Sequence, residues 1–355
     1  MLTNIFFNKK SSASSHKLSD LIITLSMKKF ERFNPKSLLF APLEGVTEEA
    51  YRIAMLKTFP EWDLFFTDFL RVPTVGRISE KHILEHFGPK IYQNEKWREK
   101  NSFQILTSPR AQTEAVVEII ESLKFNHLDL NLGCPSSTVN SNFGGAFLLS
   151  KPEEMREILL KIRKKFSGTF TIKMRIGYRD DKLFESNLKL IEDCGVEAIT
   201  LHARTKDQLY QGIADWNYIK KANELVSIPI IGNGDIWTVN DVEDIYQKTN
   251  CYSIMCGRSA MKTPWLAKLY KESIAGNANL DETFLLFERS KYLDEYFSAL
   301  LKEFREAGWG DYTILKRFKS LSRYCFDDYH DFEVVRGRFL RAETLDEFLH
   351  HLASL

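Results

Sequence analysis

The chain has 355 residues, of which 44% are hydrophobic and 27% are charged, and its formal net charge at pH 7 is +1. This length accommodates one barrel-sized domain and a smaller one. The near-zero charge excludes a globally basic protein, so that any nucleic-acid surface must be local. No apolar run is long enough to span a bilayer, and we expect no membrane partner.

Residues 1–36 differ in composition from the rest of the chain. They contain seven Lys and Arg but only two Asp and Glu, with a Ser-rich patch at 11–15. Their apolar pieces are too short for a signal peptide. We interpret this segment as a poorly ordered extension, and Met27 as a candidate for the natural start.

Short apolar runs that end in turn residues predict eight strands. They fall at residues 37–42, 64–69, 102–106, 128–132, 169–176, 198–203, 229–232 and 252–256. Helical patterns lie between most of these runs, whereas the hydrophilic stretch 77–101 is predicted to be mainly a long surface excursion. Eight strands with intervening helices predict a (β/α)8 TIM barrel, an α/β fold, over residues 37–275.

A doubly wound open sheet is the competing architecture. The barrel is favoured because chemically informative residues stand at the carboxyl ends of nearly every predicted strand. From about Glu272 onward, Phe, Leu and Tyr recur at intervals of three and four residues. This spacing predicts a separate helical bundle over residues 281–355.

The five cysteines are scattered at positions 134, 194, 251, 256 and 325. Their odd number and the lack of paired zinc-ligand spacing favour reduced thiols and indicate no metal site. Reduced thiols are typical of the cytosol, so we expect a cytoplasmic protein.

Cys134 occupies the most informative stretch of the chain, LDLNLGCPSSTVNSNFGGAFLL at residues 128–149. The alternation of Leu with Asp, Asn and Gly predicts a strand with one apolar and one polar face. Gly133 and Pro135 then predict a sharp turn, and Ser150 a helix cap with Glu153 at capping-box spacing. These features place Cys134 at the carboxyl end of a strand, although a small buried cysteine is the simpler alternative.

Two further predicted strands carry polar faces. Lys173 and Arg175 share one face of the fifth strand, and Thr200, His202 and Arg204 share one face of the sixth. Charged side chains cannot face packed helices without a large desolvation cost, so these faces must point into the barrel mouth. For Lys173 the alternative is an internal ion pair with Asp129. For His202 the alternative is a hydrogen-bonded histidine of the core.

The loops after the seventh and eighth strands suggest a phosphate site. They begin Asn233-Gly234-Asp235 and Gly257-Arg258, and barrels commonly bind phosphate at these positions. Glycine lets backbone N–H groups approach an anion, and arginine adds a two-pronged donor. A phosphate site near a strand lysine fits FMN, whereas no GxGxxG follows a strand as a Rossmann NAD site would require.

The stretch NLGCPSSTVNSNFGGAFLL resembles the cysteine motif of the tRNA-dihydrouridine synthases, flavoenzymes that reduce uridine in tRNA. Further motifs agree with the order found in that family: APLEGVT at 41–47, KMR at 173–175, HART at 202–205, NGD at 233–235 and GR at 257–258. The resemblance extends from about Ser37 to the C-terminus. It is strongest to the bacterial branch that acts on uridine 16 of the D-loop.

This resemblance implies a monomeric, FMN-dependent and NADPH-driven reductase whose partner is tRNA, with Cys134 as the acid that protonates C5 of uracil. By resemblance, the residues that contact or hold FMN are Pro42, Leu43, Glu44, Gln104, Lys173, His202, Asn233, Gly234, Asp235, Gly257 and Arg258. Those that position the uridine or the tRNA are Arg71, Asn131, Arg175, Lys316, Lys319 and Arg323.

The chain departs from the family pattern at two points. Many relatives carry a lysine just after the cysteine, where this chain has Ser136, Ser137 and Thr138. One contact with RNA phosphate is therefore missing from the expected set. Leu43 replaces the more usual methionine and should pack in a similar way.

The predicted helical tail contains a local basic patch at Lys316, Arg317, Lys319 and Arg323. Taken alone it is best interpreted as a solvated helix face, but beside a flavin site it favours an RNA-holding surface. Two other functions stay open: an FMN barrel that reduces a free pyrimidine, and a catalytically silent tRNA-binding paralogue.

Overall fold

The computed structural model describes residues 30–276, 282–326 and 331–355. Nine parallel strands lie within these ranges: β1 Leu38–Phe40, β2 Leu64–Phe66, β3 Leu70–Arg71, β4 Asn101–Leu106, β5 His127–Leu132, β6 Thr169–Arg175, β7 Ala198–His202, β8 Ile230–Asn233 and β9 Ser253–Cys256.

The sheet closes on itself. β1 pairs with β2 on one side and with β9 on the other. β2 and β3 both pair with β4, so they form one interrupted strand position where a single strand over residues 64–69 was predicted. Eight strand positions in a closed parallel sheet confirm the TIM barrel and exclude the doubly wound alternative.

Helices surround the barrel and continue beyond it. The helices of the barrel region are α1 Glu49–Thr58, α2 Glu80–Phe87, α3 Pro89–Gln93, α4 Glu95–Glu99, α5 Thr113–Ser122, α6 Ser137–Ser141, α7 Pro152–Lys165, α8 Phe184–Asp193, α9 Asn217–Leu225, α10 Val239–Thr249, α11 Arg258–Lys262 and α12 Leu266–Ile274, with a 3-10 helix at Gly145–Ser150. The C-terminal helices are α13 Glu282–Glu306, α14 Asp311–Cys325, α15 Phe332–Arg341 and α16 Leu345–Ala353. None of the described helices is long and apolar enough to cross a membrane.

The prediction of a surface excursion at residues 77–101 was wrong. This segment folds into α2, α3 and α4, and Ile83, Phe87 and Ile91 are completely buried. Ile83 and Phe87 are four residues apart and share one side of α2, whereas Ile91 lies on α3, after the break at Gly88. The many charged residues between them obscured these buried positions in the sequence.

The predicted cap at Ser150 was also wrong. Ser150 lies in the 3-10 helix, and its hydroxyl donates to the carbonyl of Phe147 at 2.7 Å. Lys151 precedes α7, and no side chain caps this helix, although Pro152 does stand in its first turn. The 3-10 turn continues almost directly into α7, which leaves Ser150 inside helical structure.

Residues 30–36 belong to the barrel rather than to an extension that was predicted over residues 1–36. The rings of Phe30 and Phe33 lie 5.8 and 6.0 Å from the ring of Tyr252, which precedes β9. Arg32 donates to the carbonyl of Asn101 at the start of β4, at 2.9 Å. This segment therefore covers the end of the barrel opposite the mouth; residues 1–29, with Met27, lie outside the described residues.

The C-terminal region is helical, as predicted, and it packs against α1 and α11. The hydroxyl of Tyr296 donates to that of Tyr51 at 3.1 Å, and Lys57 pairs with the buried Glu303 at 2.6 Å. These contacts hold the C-terminal helices against α1, the helix that follows β1.

Candidate functional site

A pocket opens at the mouth, where the carboxyl ends of the strands meet. Most of the predicted cofactor residues line it: Pro42, Leu43, Lys173, His202, Asn233, Gly234, Asp235, Gly257 and Arg258. Glu44 and Gln104 were predicted to join them, but neither lies in its wall. The pocket is thus formed by β1, β6, β7, β8 and β9 and the loops that follow them.

Lys173 brings a positive charge to the pocket wall. It is half-buried and makes no hydrogen bond or ion pair with any described residue. Burial first, and then the charge of neighbouring Arg175, lower the pKa of its ammonium group to about 8. The alternative ion pair with Asp129 does not form, because this carboxyl accepts hydrogen bonds from Gln104 and Thr171, both at 2.6 Å. A lysine in this setting favours an anionic ligand.

His202 stands next to Lys173 in the pocket wall. Burial holds the pKa of His202 well below its usual value, and the surrounding cations, Lys173 and Arg175 first among them, act in the same direction. The imidazole is therefore neutral at physiological pH and can either donate or accept a hydrogen bond. The alternative of a hydrogen-bonded core histidine holds in part, because His202 is only 6% exposed and its Nε2 lies 3.4 Å from Arg204. The same side chain nevertheless lines the pocket, so it can also face a ligand.

Asp235 anchors two arginines, Arg204 and Arg258, at the side of the pocket formed by the loops after β7, β8 and β9. Its carboxylate accepts hydrogen bonds from Arg204 at 2.5 and 3.0 Å, and it pairs with Arg258 at 3.1 Å. Although burial opposes ionisation, these bonds hold its pKa below the usual range. A carboxylate that is engaged in this way orients Arg258, and the contact of Asp235 with FMN stays a prediction.

Gly234 and Asp235 form the tight turn that makes this arrangement possible. Both have positive φ angles, +118° and +50°. A Cβ atom at Gly234 would lie 2.8 Å from the side chain of Ala214 and 3.1 Å from that of His202. Only glycine fits this position, which explains the Asn-Gly-Asp sequence in physical terms.

Two aromatic residues of the site were not found from the sequence. The guanidinium of Arg258 lies 4.5 Å from the ring centre of Tyr210 and 5.0 Å from that of Trp237. Tyr210 is 53% exposed and also lies over Arg175 and beside His202. The available signal was their position in the loops after β7 and β8, since functional residues of barrels concentrate there.

Cys134 is held on its turn by Asn131. The side-chain oxygen of Asn131 accepts hydrogen bonds from the backbone N–H groups of Gly133 and Cys134, while its amide donates to Gln104 at 2.9 Å. Asn131 and Gln104 therefore support the turn, and only the second amide hydrogen of Asn131 is left for the predicted contact with a base. A Cβ atom at Gly145 would lie 3.2 Å from that of Cys134, so the loop needs glycine there.

The thiol of Cys134 is half-buried. Burial raises its pKa above the usual value, against smaller opposing effects from the backbone of Ser136 and from nearby arginines. The thiol therefore stays protonated at neutral pH. This state suits a proton donor and does not suit a nucleophile, which requires a lowered pKa.

Arg175 was predicted to meet RNA, but it is only 2% exposed. Its guanidinium donates to the carbonyl of Gly133 at 3.0 Å and to those of Thr205 and Leu209, each at 2.8 Å. It thus links the Cys134 turn to the loop that carries Tyr210. Only Nη2, which bonds no described residue, is left for a ligand, and the role of Arg175 toward the uridine stays a prediction.

Glu44 and Arg71 form an exposed ion pair of 3.0 Å at the mouth. Glu44 was predicted to line the flavin ring, but its carboxylate instead points to Arg71. Arg71 does lie at the mouth, as predicted, with its guanidinium 5.1 Å from the ring centre of Phe69. Its role toward the uridine stays a prediction.

The basic patch of the tail lies on α14. Lys316 and Arg323 are exposed and Lys319 is half-buried. Arg317 was predicted as part of the same patch, but it turns toward the barrel, where it donates to the carbonyl of Gly45 and pairs with Glu48 at 3.2 Å. Arg317 therefore connects the helical region to the loop after β1.

Comparison with known proteins identifies the family of this chain. A family model described as dihydrouridine synthase matches residues 39–329. The tRNA-dihydrouridine(16) synthase of Shewanella oneidensis is 30% identical over 276 residues, which cover 75% of this chain and 86% of that protein. The Haemophilus influenzae protein of the same name is 28% identical, over 87% of this chain and 97% of its own. The tRNA-dihydrouridine synthase B of Pasteurella multocida is 29% identical, over 69% of this chain and 73% of that protein. The chain therefore belongs to the dihydrouridine synthase family.

Proposed function

We propose that this protein is a tRNA-dihydrouridine synthase that uses FMN and NADPH to reduce a D-loop uridine of tRNA, uridine 16. The observation that carries the proposal is a protonated thiol on a fixed turn at the mouth of a cationic barrel pocket. Cys134 follows β5, and Lys173 lies on β6, where it is in register with Asn131. The position of the uridine rests on relatives whose names specify uridine 16.

The pocket residues fit FMN in their chemistry. Lys173 supplies a cation without an anionic partner among the described residues, which suits a ring system that becomes negative on reduction. Arg258, held by Asp235, supplies a donor fork for a phosphate, with the turns at Gly234 and Gly257 beside it. Pro42 and Leu43 offer an apolar wall for the flavin ring. When bound, FMN would supply the hydride that adds to C6 of uracil.

Cys134 would supply the proton that C5 of uracil requires. Its raised pKa keeps the thiol protonated at neutral pH, and Asn131 fixes the backbone that carries it. A positioned acid of this kind typically contributes 10²- to 10⁴-fold to a rate. The thiolate that remains would recover its proton from solvent through the open mouth.

Three groups are placed to orient the uracil ring. The neutral imidazole of His202 and the unused Nη2 of Arg175 can bond the polar edge of the base, and the exposed ring of Tyr210 offers a stacking surface. Outside the pocket, Arg71 and the exposed cations of α14 would hold phosphates of the tRNA and so set its orientation.

One experiment tests the proposal. The purified protein should contain FMN, and with NADPH it should convert an unmodified tRNA transcript into tRNA with dihydrouridine at position 16. A protein that neither retains nor takes up FMN would refute the cofactor assignment. Dihydrouridine at another position would refute only the choice of uridine, whereas reduction of free uridine without reduction of tRNA would favour the pyrimidine reductase.

A further inference from the structure

A row of cationic and aromatic side chains follows the rim of the barrel near Cys134. The guanidinium of Arg110 lies 5.4 Å from the ring centre of Phe143, which lies 5.3 Å from the ring of Phe147. Phe147 lies 5.8 Å from Tyr178, and the ammonium of Lys206 lies 4.9 Å from the ring of Tyr178. We call these five residues the rim row; the site described above uses none of them.

The rim row stands on the far side of the mouth from the helical region. Its members come from the loops after β4, β5, β6 and β7, whereas the helical region packs beside β1. In strand order β6 lies opposite β1 around the barrel. A ligand held by α14 could therefore extend across the mouth onto the rim row.

A cavity of about 380 Å³ lies in the rim at Phe147 and Tyr178, and Lys151 and Arg179 line it as well. Both of these cations are exposed, and neither has an acidic partner among the described residues. One carboxylate, Asp180, also lines the cavity, but it is already paired with Lys182 at 3.2 Å. The cavity thus offers aromatic faces together with uncompensated positive charge.

The rim row is joined directly to the catalytic turn. Ala146 donates its backbone N–H to the carbonyl of Cys134 at 3.4 Å, and Phe147 is the next residue in the chain. Phe143, three residues before Ala146, is 41% exposed, so its ring is available to a ligand. A chain of nucleotides with one base at Cys134 would bring a neighbouring nucleotide to this rim.

We propose that the rim cavity binds an unstacked nucleotide of single-stranded RNA beside the target uridine, with its base on Phe147 and Tyr178 and its phosphate at Lys151 and Arg179. This inference rests on the proposed function, since it presumes that the uridine enters at Cys134. Aromatic faces bind unpaired bases by stacking, and cations bind the backbone in a salt-dependent way. Duplex RNA keeps its bases stacked and cannot use these faces.

Two variants test the site. The double variant Phe147→Ala/Tyr178→Ala removes the two faces proposed to hold the base, and Arg179→Glu reverses one charge. The matched controls, Leu160→Ala and Lys164→Glu, lie on the outer face of α7. The probe is fluorescein-labelled hexauridylate, with an RNA hairpin duplex for comparison. The double variant should bind hexauridylate about ten- to hundredfold more weakly. Arg179→Glu should reduce the salt slope by about one.

The readouts separate this site from the rest of the enzyme. FMN content and NADPH oxidation should match the parent, while KM for unmodified tRNA should rise with kcat retained. Parent-like binding of hexauridylate by both variants would overturn the proposal. Equal loss on the hairpin duplex would also overturn it, since a general phosphate surface would then explain the effect. If the parent makes no dihydrouridine but its hexauridylate binding still depends on these residues, the proposed function fails and the nucleotide site stands.

Discussion

The side-chain oxygen of Asn131 accepts a hydrogen bond from the backbone N–H of Cys134 at 2.9 Å, together with one from Gly133 at 3.0 Å. Asn131→Ala would leave both N–H groups without an acceptor, at a cost of about 1–3 kcal/mol each where they stay buried. We expect uridine reduction to fall about 10- to 100-fold, because a displaced thiol no longer meets C5. Reduction of the flavin by NADPH should be retained.

Stopped-flow measurement of the two half-reactions checks this prediction. The matched control is Asn142→Ala, since Asn142 is exposed and its amide donates only to the carbonyl of Thr138. The control should reduce uridine like the parent. Unchanged uridine reduction in Asn131→Ala would show that the turn does not depend on this bond.

Cys134→Ala should separate the same two half-reactions more sharply. Flavin reduction should continue, while uridine reduction falls about 10²- to 10⁴-fold, the usual effect of losing a general acid. The parent's rate should be constant through neutral pH. It should fall only above the ordinary thiol pKa of about 8.5, because the acid is active when protonated and burial raises its pKa. A pH profile with a midpoint near neutrality would instead indicate an activated thiolate.

Much of the barrel and its pocket could be predicted from the sequence because both follow from alternation. Strand residues two positions apart share a face, so Lys173 and His202 could be placed in the mouth before any coordinates. The buried positions of α2 and α3, which are Ile83, Phe87 and Ile91, were missed because apolar residues are sparse in this segment and stand among charged ones.

The direction of individual side chains could not be predicted in the same way. Arg317 was counted in the basic patch of the tail, yet its guanidinium bonds the loop after β1. Arg175 was expected to meet RNA, yet most of its guanidinium is bonded to three backbone carbonyls. These partners are distant in sequence and meet only in the folded chain. Tyr210 stands in an irregular loop, where no periodic pattern indicates which residues face a pocket.

Lys173 should destabilise the flavin-free protein in a pH-dependent way. Its folded pKa is about 8 against 10.5 for a free lysine, so the unfolded chain binds more protons between these values. The stability of the parent therefore rises with pH across this window. Lys173→Met should be more stable than the parent below pH 8, by on the order of 1–3 kcal/mol.

The measurement is urea unfolding from pH 7 to 10.5, with the exposed Lys189→Met as control. The stability difference between parent and Lys173→Met should shrink as pH rises from 8 to 10.5. Excess FMN should reverse its sign, because a bound anion would then stabilise the charged lysine. A difference that stays constant with pH would show that Lys173 titrates normally.

Arg317→Ala should weaken the attachment of the helical region to the barrel. The guanidinium bonds Gly45 and Glu48, and burial raises the pKa of Glu48 to about 7. Without Arg317 the ionised form of Glu48 loses its partner, so unfolding should become easier by about 1–3 kcal/mol, somewhat less than for a fully buried pair. The loss should be larger at pH 8 than at pH 6, where Glu48 is largely neutral.

Urea unfolding at the two pH values checks this expectation. Lys316→Ala is the control, because Lys316 is adjacent in sequence but exposed, with its ammonium 4.3 Å from the ring of Tyr312. It should leave stability within about 0.5 kcal/mol of the parent. An equal loss of stability in both variants would show that Arg317 stabilises the fold no more than an exposed surface residue does.

Charge reversal at Lys316 and Arg323 should weaken tRNA binding without affecting the flavin. Both side chains are exposed on α14, seven residues apart and therefore on one side of the helix. Phosphate contacts position RNA without reading its sequence, so binding should weaken for every tRNA and the salt slope should fall by about two. FMN content and NADPH oxidation should match the parent, whereas Lys164→Glu/Lys189→Glu, with the same charge change on the outside of the barrel, should bind tRNA normally. If the reversed α14 variant binds and reduces tRNA like the parent at physiological salt, these cations form only a solvated helix face.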